Sequence, residues 1–174
     1  MKRILSLFAI TLFIVPVAFA EGFSEIGLSD IGVGWDNGYS VKISAEPVSI
    51  QLTGKFDSVI PEDDDIDTET DAEIAAYVAY PVLNFDESNF NVFGGLGLMP
   101  STHEITVGGT TYDKELDYAI RFGIEPEVKV TDNIGLSAKV GLQVKLDQGY
   151  DDLDDSGETD VGAWGSIGVH WFFK

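Results

Sequence analysis

Alternation of apolar residues with small or polar ones runs through most of this chain from residue 28 onward, and it restricts the fold more than any other feature. A period of 2 puts successive side chains on opposite faces of an extended strand, whereas a helix needs a period near 3.6. The clearest run is Ile134, Leu136, Ala138, Val140, Leu142, Val144 and Leu146, interleaved with Gly135, Ser137, Lys139, Gly141, Gln143 and Lys145. Residues 116–128 repeat it, with Asp117, Ala119, Arg121, Gly123, Glu125 and Glu127 on the second face, and residues 161–173 do so again. Shorter runs begin at Ile31, Tyr39, Val48, Ala72 and Phe90, which brings the expected number of strands to eight, and no apolar face carries a charge.

The connections alternate in length. Asp36-Asn37-Gly38 is a hairpin signal, because Asn-Gly accepts the positive φ of a type I′ turn. Residues 45–47, 84–89 and 129–133 are the other compact turns, and between them lie acidic connections at 61–71, 102–115 and 148–160. With eight strands and both termini at one end, the three long connections share the other end with the Asn37-Gly38 turn. That asymmetry is the expected one for an outer-membrane barrel. The predicted fold is all-β, an eight-stranded antiparallel up-and-down transmembrane barrel.

The first twenty residues read as a cleavable signal peptide. Lys2 and Arg3 are its positive end, residues 4–15 its apolar stretch, and Ala18-Phe19-Ala20 the small-x-small cleavage pattern before Glu21. The apolar stretch is short for a spanning helix. Residues 21–174 are then a single barrel domain. Cysteine is absent, which excludes a disulfide framework and a lipid-modified N-terminal Cys. Losing Lys2 and Arg3 leaves 8 basic residues against 30 acidic ones, a formal charge of −22, which argues against nucleic-acid binding by phosphate repulsion.

Alternation alone does not say which face points outward. Bulk favours the apolar face outside, because an eight-stranded lumen is only wide enough for side chains to fill and the other face is rich in glycine. The aromatics agree. Tyr80, Phe90, Trp171 and Phe173 lie toward the short-turn ends of their strands, and Trp35, Tyr39, Phe56 and Tyr118 toward the long-loop ends. An aliphatic belt between two aromatic girdles suits a bilayer. The inward face then holds a polar network of Lys42, Lys55, Glu73, Asp117, Arg121, Glu125, Lys139 and Lys145, with His170 joining it near the periplasmic end.

With its signal peptide, paired strands and a last strand at 161–173 bearing outward aromatics, the chain resembles the small outer-membrane β-barrel domain family, which includes outer membrane proteins A and X. Members usually finish on an aromatic residue, whereas here Lys174 follows Phe173. The resemblance implies a fold and an outer-membrane location more than an activity.

Three features are candidate sites. Asp151, Asp152, Asp154, Asp155 and Glu158 are hard oxygen donors suited to loosely bound calcium. Residues 152–157 begin like an EF-hand loop, but position twelve falls on Ala163 where a bidentate Glu is required, so an ordinary solvated loop is the simpler reading. Ser101-Thr102-His103-Glu104 places a hydroxyl, an imidazole and a carboxylate together at the outer rim, where lipid-modifying barrels carry theirs, but it matches no motif of those enzymes. Ile105, Val107, Gly108, Gly109 and Tyr112 mark a hairpin projecting beyond the barrel as a continuation of its strands. Its edge suits pairing with a strand of another protein.

The expected function is therefore a non-enzymatic outer-membrane barrel with a structural or adhesion-like surface role. Its partners would be outer-membrane lipid and lipopolysaccharide, with an extracellular protein met through the acidic loops or the hairpin. No cofactor is expected, and the protein should be a monomer. The alternatives are a narrow porin-like channel for water or small ions, a lipid-modifying enzyme and a soluble periplasmic barrel.

Overall fold

The computed structural model describes residues 28–59, 69–101, 104–150 and 157–173. The segment read as a signal peptide lies outside them. Ten strands follow one another: β1 (Leu28–Asp36), β2 (Tyr39–Ala45), β3 (Val48–Val59), β4 (Glu69–Asn84), β5 (Ser88–Met99), β6 (Glu104–Val107), β7 (Thr110–Asp113), β8 (Asp117–Thr131), β9 (Ile134–Leu146) and β10 (Thr159–Phe173). Eight of them close an antiparallel barrel in the order β1-β10-β9-β8-β5-β4-β3-β2, while β6 and β7 form a separate two-stranded ribbon. All-β architecture and the up-and-down order are as the alternation predicts.

The barrel closes where β1 meets β10, from Ile31 opposite Phe173 to Asp36 opposite Gly168. Paired positions lead from Trp35 round the wall through Tyr39, Gly54, Ile74, Leu98, Tyr118 and Leu146 to Thr159. Trp35 itself pairs with Val169, so the circuit returns ten residues out of step. This stagger accompanies the tilt of the strands, and eight strands leave a lumen just wide enough for side chains to fill. It also makes the outer rim uneven. β1 and β2 have only 9 and 7 residues, against 12 to 16 for the other barrel strands. Above Gly168, β10 therefore pairs with β9 alone among the described residues.

The apolar face points outward. Leu52, Val78, Leu96, Ile120, Val140, Leu142 and Ile167 are all exposed on the wall, Ile167 at 77%. Tyr80 and Trp171 stand exposed toward the short-turn end, and Phe56 and Tyr118 toward the other. Two parts of the wall depart from the expected arrangement. Trp35 and Tyr39 end the shortest hairpin, so the stagger seats them lower on the wall than Phe56 and Tyr118 and the upper aromatic ring is oblique. Ile31 and Val33 share this outward face yet are buried, flanked at paired positions by Ile43 and Phe173 and by Val41 and Trp171.

Local chemistry explains the interruptions. Asn37 and Gly38 both have positive φ, which closes the β1–β2 turn. Asp36, which the hairpin signal assigned to that turn, is instead the last residue of β1, with its side chain buried inside the barrel. Pairing of β8 with β9 lapses at Glu125 and Pro126 while pairing with β5 continues, as expected where proline has no N–H to donate. The ribbon is likewise set apart from the barrel strands and does not continue them. Pro100 interrupts β5, and the feet of the ribbon pair elsewhere, Ser101 with Asp71 and Lys114 with Tyr150.

Candidate functional site: the lumen and the outer rim

Every barrel strand contributes inward side chains, and these form successive polar and aromatic layers. Toward the short-turn end, Lys42 Nζ lies 3.1 Å from Glu125 Oε1 and 2.8 Å from Glu127 Oε2. Next, the Lys139 ammonium donates to the Asp36 carboxylate and, at 2.7 Å, to Gln51 Oε1, and it lies 3.3 Å from Glu125 Oε1. Gln51 Nε2 donates to Asp36 Oδ2 at 2.7 Å and to Ser40 Oγ at 3.0 Å, and Ser40 is hydrogen-bonded to His170 Nε2. Lys42, Lys139, Glu125 and His170 are all but completely buried. Charges so placed are tolerated only when paired, because an unpaired buried ion costs several kcal/mol.

Above them lies an aromatic plug. Tyr77 stacks on Trp164 with ring centroids 5.8 Å apart, and Phe93 meets both edge-on at 6.0 and 5.9 Å. Arg121 caps the plug. Its guanidinium lies 4.8 Å from the Trp164 ring centre and donates to Gln143 Oε1 at 2.6 Å, to Tyr77 Oη at 2.8 Å and to the Glu73 carboxylate. Glycine makes the room: a Cβ on Gly95 would come within 2.3 Å of the Tyr77 ring. Closer to the short-turn end the Phe172 ring fits between Gly32 and Gly135 in the same manner.

At the outer end Lys145 lies 3.2 Å from Asp117, and Lys114 lies 2.9 Å from Asp147 and 3.6 Å from Asp117. This network ties the foot of the ribbon to the β9–β10 connection, where Glu115 N donates to Gly149 O at 3.0 Å. Partial burial works against the charge of Lys114, but the Asp147 hydrogen bond and the Asp117 carboxylate hold it above the ordinary lysine range. The Lys114 hydrogen bond, supported by the Gly149 N–H, holds the Asp147 carboxyl below the ordinary carboxylate range.

All eight residues of the expected polar network therefore sit on inward positions or at the lumen mouth, and Lys55 lines a cavity of about 270 Å³ at the outer end with Glu73, Asp117 and Lys145. A second cavity, of about 450 Å³, opens at the short-turn end. The plug and the ion-pair layers lie between the two. Asp36, Gln51, Ser40 and the aromatics Tyr77, Phe93 and Trp164 are members of the lumen that the sequence reading did not single out. Their signal was parity: Tyr77 and Phe93 share inward positions with Glu73 and Gly95, and Trp164 with Gly162.

The expected hairpin is present, with Ile105 opposite Tyr112, Val107 opposite Thr110, and positive φ at Gly108 and Gly109. Val107 is exposed. Of the calcium candidates, Asp151, Asp152, Asp154 and Asp155 lie outside the described residues, and Glu158 is exposed. No group of three or more metal-ligating side chains occurs among the described residues. His103 also lies outside them, and the Ser101 hydroxyl donates to Asp71 Oδ1 at 2.8 Å. Comparison with protein-family models, with curated proteins and with solved structures finds no match for this chain.

Proposed function

We propose that the chain is a sealed outer-membrane barrel that presents a ribbon and acidic connections at the cell surface, with a structural or adhesion-like role and no catalysis. The carrying observation is the inversion of the usual polarity of a barrel. Large aliphatic and aromatic side chains cover the outside, while lysines, arginine and carboxylates are buried within. In water such an exterior would be costly, and in a bilayer it is the favourable arrangement. Strands of 12 to 16 residues in most of the wall exceed the 9–11 or so that a tilted spanning strand needs. The same features support kinship with the small outer-membrane barrels that include outer membrane proteins A and X, and export through a cleaved signal peptide.

The surface role rests on the outer end. The ribbon stands on two fastened feet, and elsewhere on the same rim the β10 edge above Gly168 lacks a second strand partner among the described residues. Edges of this kind accept an added strand through main-chain hydrogen bonds. The plug of Tyr77, Phe93, Trp164 and Arg121 favours a sealed lumen over a narrow channel.

Refolding the mature protein into detergent and lipid vesicles tests the location. A heat-modifiable gel band and resistance of the native protein to carbonate extraction are expected, and recovery in the soluble periplasmic fraction would refute the reading. Planar-bilayer recording should show no steady single-channel conductance.

A further inference from the structure

We propose that the cavity at the short-turn end of the barrel binds an aliphatic diamine or polyamine. This inference rests on the closed barrel and its inward face, and holds whether or not the exterior meets lipid. The cavity measures about 450 Å³ and collects residues from all three short turns, among them Glu46, Asp86, Glu87 and Asp132. Asp30 and Glu127 add two carboxylates deeper in, against only Lys42 and Lys129 in the whole lining. Lys42 is already engaged by Glu125 and Glu127. The lining therefore calls for added positive charge.

Acidity alone would describe a solvated mouth, but the floor supplies an independent reason for a ligand. Asn91 lies on the cavity wall and is only 4% exposed, yet no hydrogen bond to its side-chain amide occurs among the described residues. Neither atom of that amide is enclosed by protein, so it opens on the cavity, where its carbonyl is a ready acceptor for an ammonium N–H.

The spacing of the carboxylates selects among cations. They are distributed round the mouth on separate turns and do not converge, and the described residues include no trio able to hold a metal ion. Spaced carboxylates suit a cation whose charges are themselves spaced along a chain. Pro47, Val48, Pro81, Phe85 and Phe172 supply apolar wall for the intervening methylenes. One ammonium would reach Asn91 and Glu127, and another the rim at Asp86 and Glu87.

Isothermal titration of spermidine into the folded mature barrel in a non-ionic detergent tests the site, with magnesium chloride as the parallel titrant. Saturable spermidine binding is expected, weakened roughly tenfold in Asn91→Leu by loss of the floor contact. The double variant Asp86→Asn, Glu87→Gln lies on an exposed turn, so it keeps the test open should the floor variant fail to fold. It should weaken binding to a similar degree. Absence of saturable heat overturns the proposal. So does binding unchanged in every variant that folds, or matched by magnesium, since either result describes diffuse counterions. A heat-modifiable band from the same samples reports barrel folding separately, so failure of the fold is distinguishable from failure of the site.

Discussion

Lys139 on β9 and Asp36 on β1 meet inside the barrel, where the ammonium donates to a carboxylate 103 residues earlier in the chain. The pair spans the seam at which β10 joins β1, and Gln51 from β3 bonds to both members. Replacing Lys139 by Met leaves Asp36 and Glu125 short of a buried cation. The expected loss is about 3–5 kcal/mol, because removing one partner strands the other charge in a low-dielectric lumen. Urea unfolding of the refolded barrel measures it. Adding Asp36→Leu to Lys139→Met should recover part of the loss.

Gly95 and Tyr77 form the tightest steric relationship in the plug. A Cβ on Gly95 would lie 2.3 Å from the Tyr77 ring and 2.7 Å from the Ala76 carbonyl oxygen, and the backbone contact cannot be relieved by a rotamer change. Gly95→Ala should therefore destabilise the barrel by about 1–3 kcal/mol, as overpacking does elsewhere. Gly94, its outward neighbour, has open space at the Cβ position, so Gly94→Ala should change the unfolding midpoint little.

The ribbon is a separate sheet, and its removal should spare the barrel. Deleting residues 104–113 with a short Gly-Ser replacement should leave the urea midpoint unchanged while reducing attachment of cells that carry the protein on their surface. Equal attachment with and without the ribbon would assign the surface role elsewhere on the outer rim.

The outer foot should loosen in acid. The folded Asp147 carboxyl is held below its ordinary value, so the stabilisation it confers is fully present above the unfolded carboxylate range and is lost as pH falls through the folded value. The pair is partly solvated, so its worth is under about 1 kcal/mol and the effect is local. Amide exchange should show Gly149, whose N–H donates to Asp147 Oδ1 at 3.0 Å, losing protection below roughly pH 4 while the barrel strands keep theirs.

The strands and the direction of their faces were legible in the sequence because a barrel wall of one layer imposes a period of 2 on every strand, as in 134–146. The lumen was legible only where charge stood out against glycine, as at Lys139 and Arg121. Tyr77 and Phe93 were not, because an inward aromatic beside outward aliphatics reads as part of an apolar run; Trp164 fell on the second face with Gly162 and Ser166, but nothing local marks the stack it joins. Asp36 was concealed by a genuine turn signal one residue further on. Nor does any local pattern encode the ten-residue stagger, which arises from register between strands distant in sequence.

The orientation of the faces is tested most directly by the three tryptophans. Trp35 and Trp171 are half exposed on the outer wall, whereas Trp164 packs between Tyr77 and Arg121 inside it. Three variants, each retaining one tryptophan with the other two changed to Phe, would be refolded into vesicles of bromine-labelled phospholipid. Strong quenching of Trp35 and Trp171 with Trp164 unquenched is expected. Quenching of Trp164, or none at Trp35 and Trp171, would contradict an outward apolar face in contact with lipid.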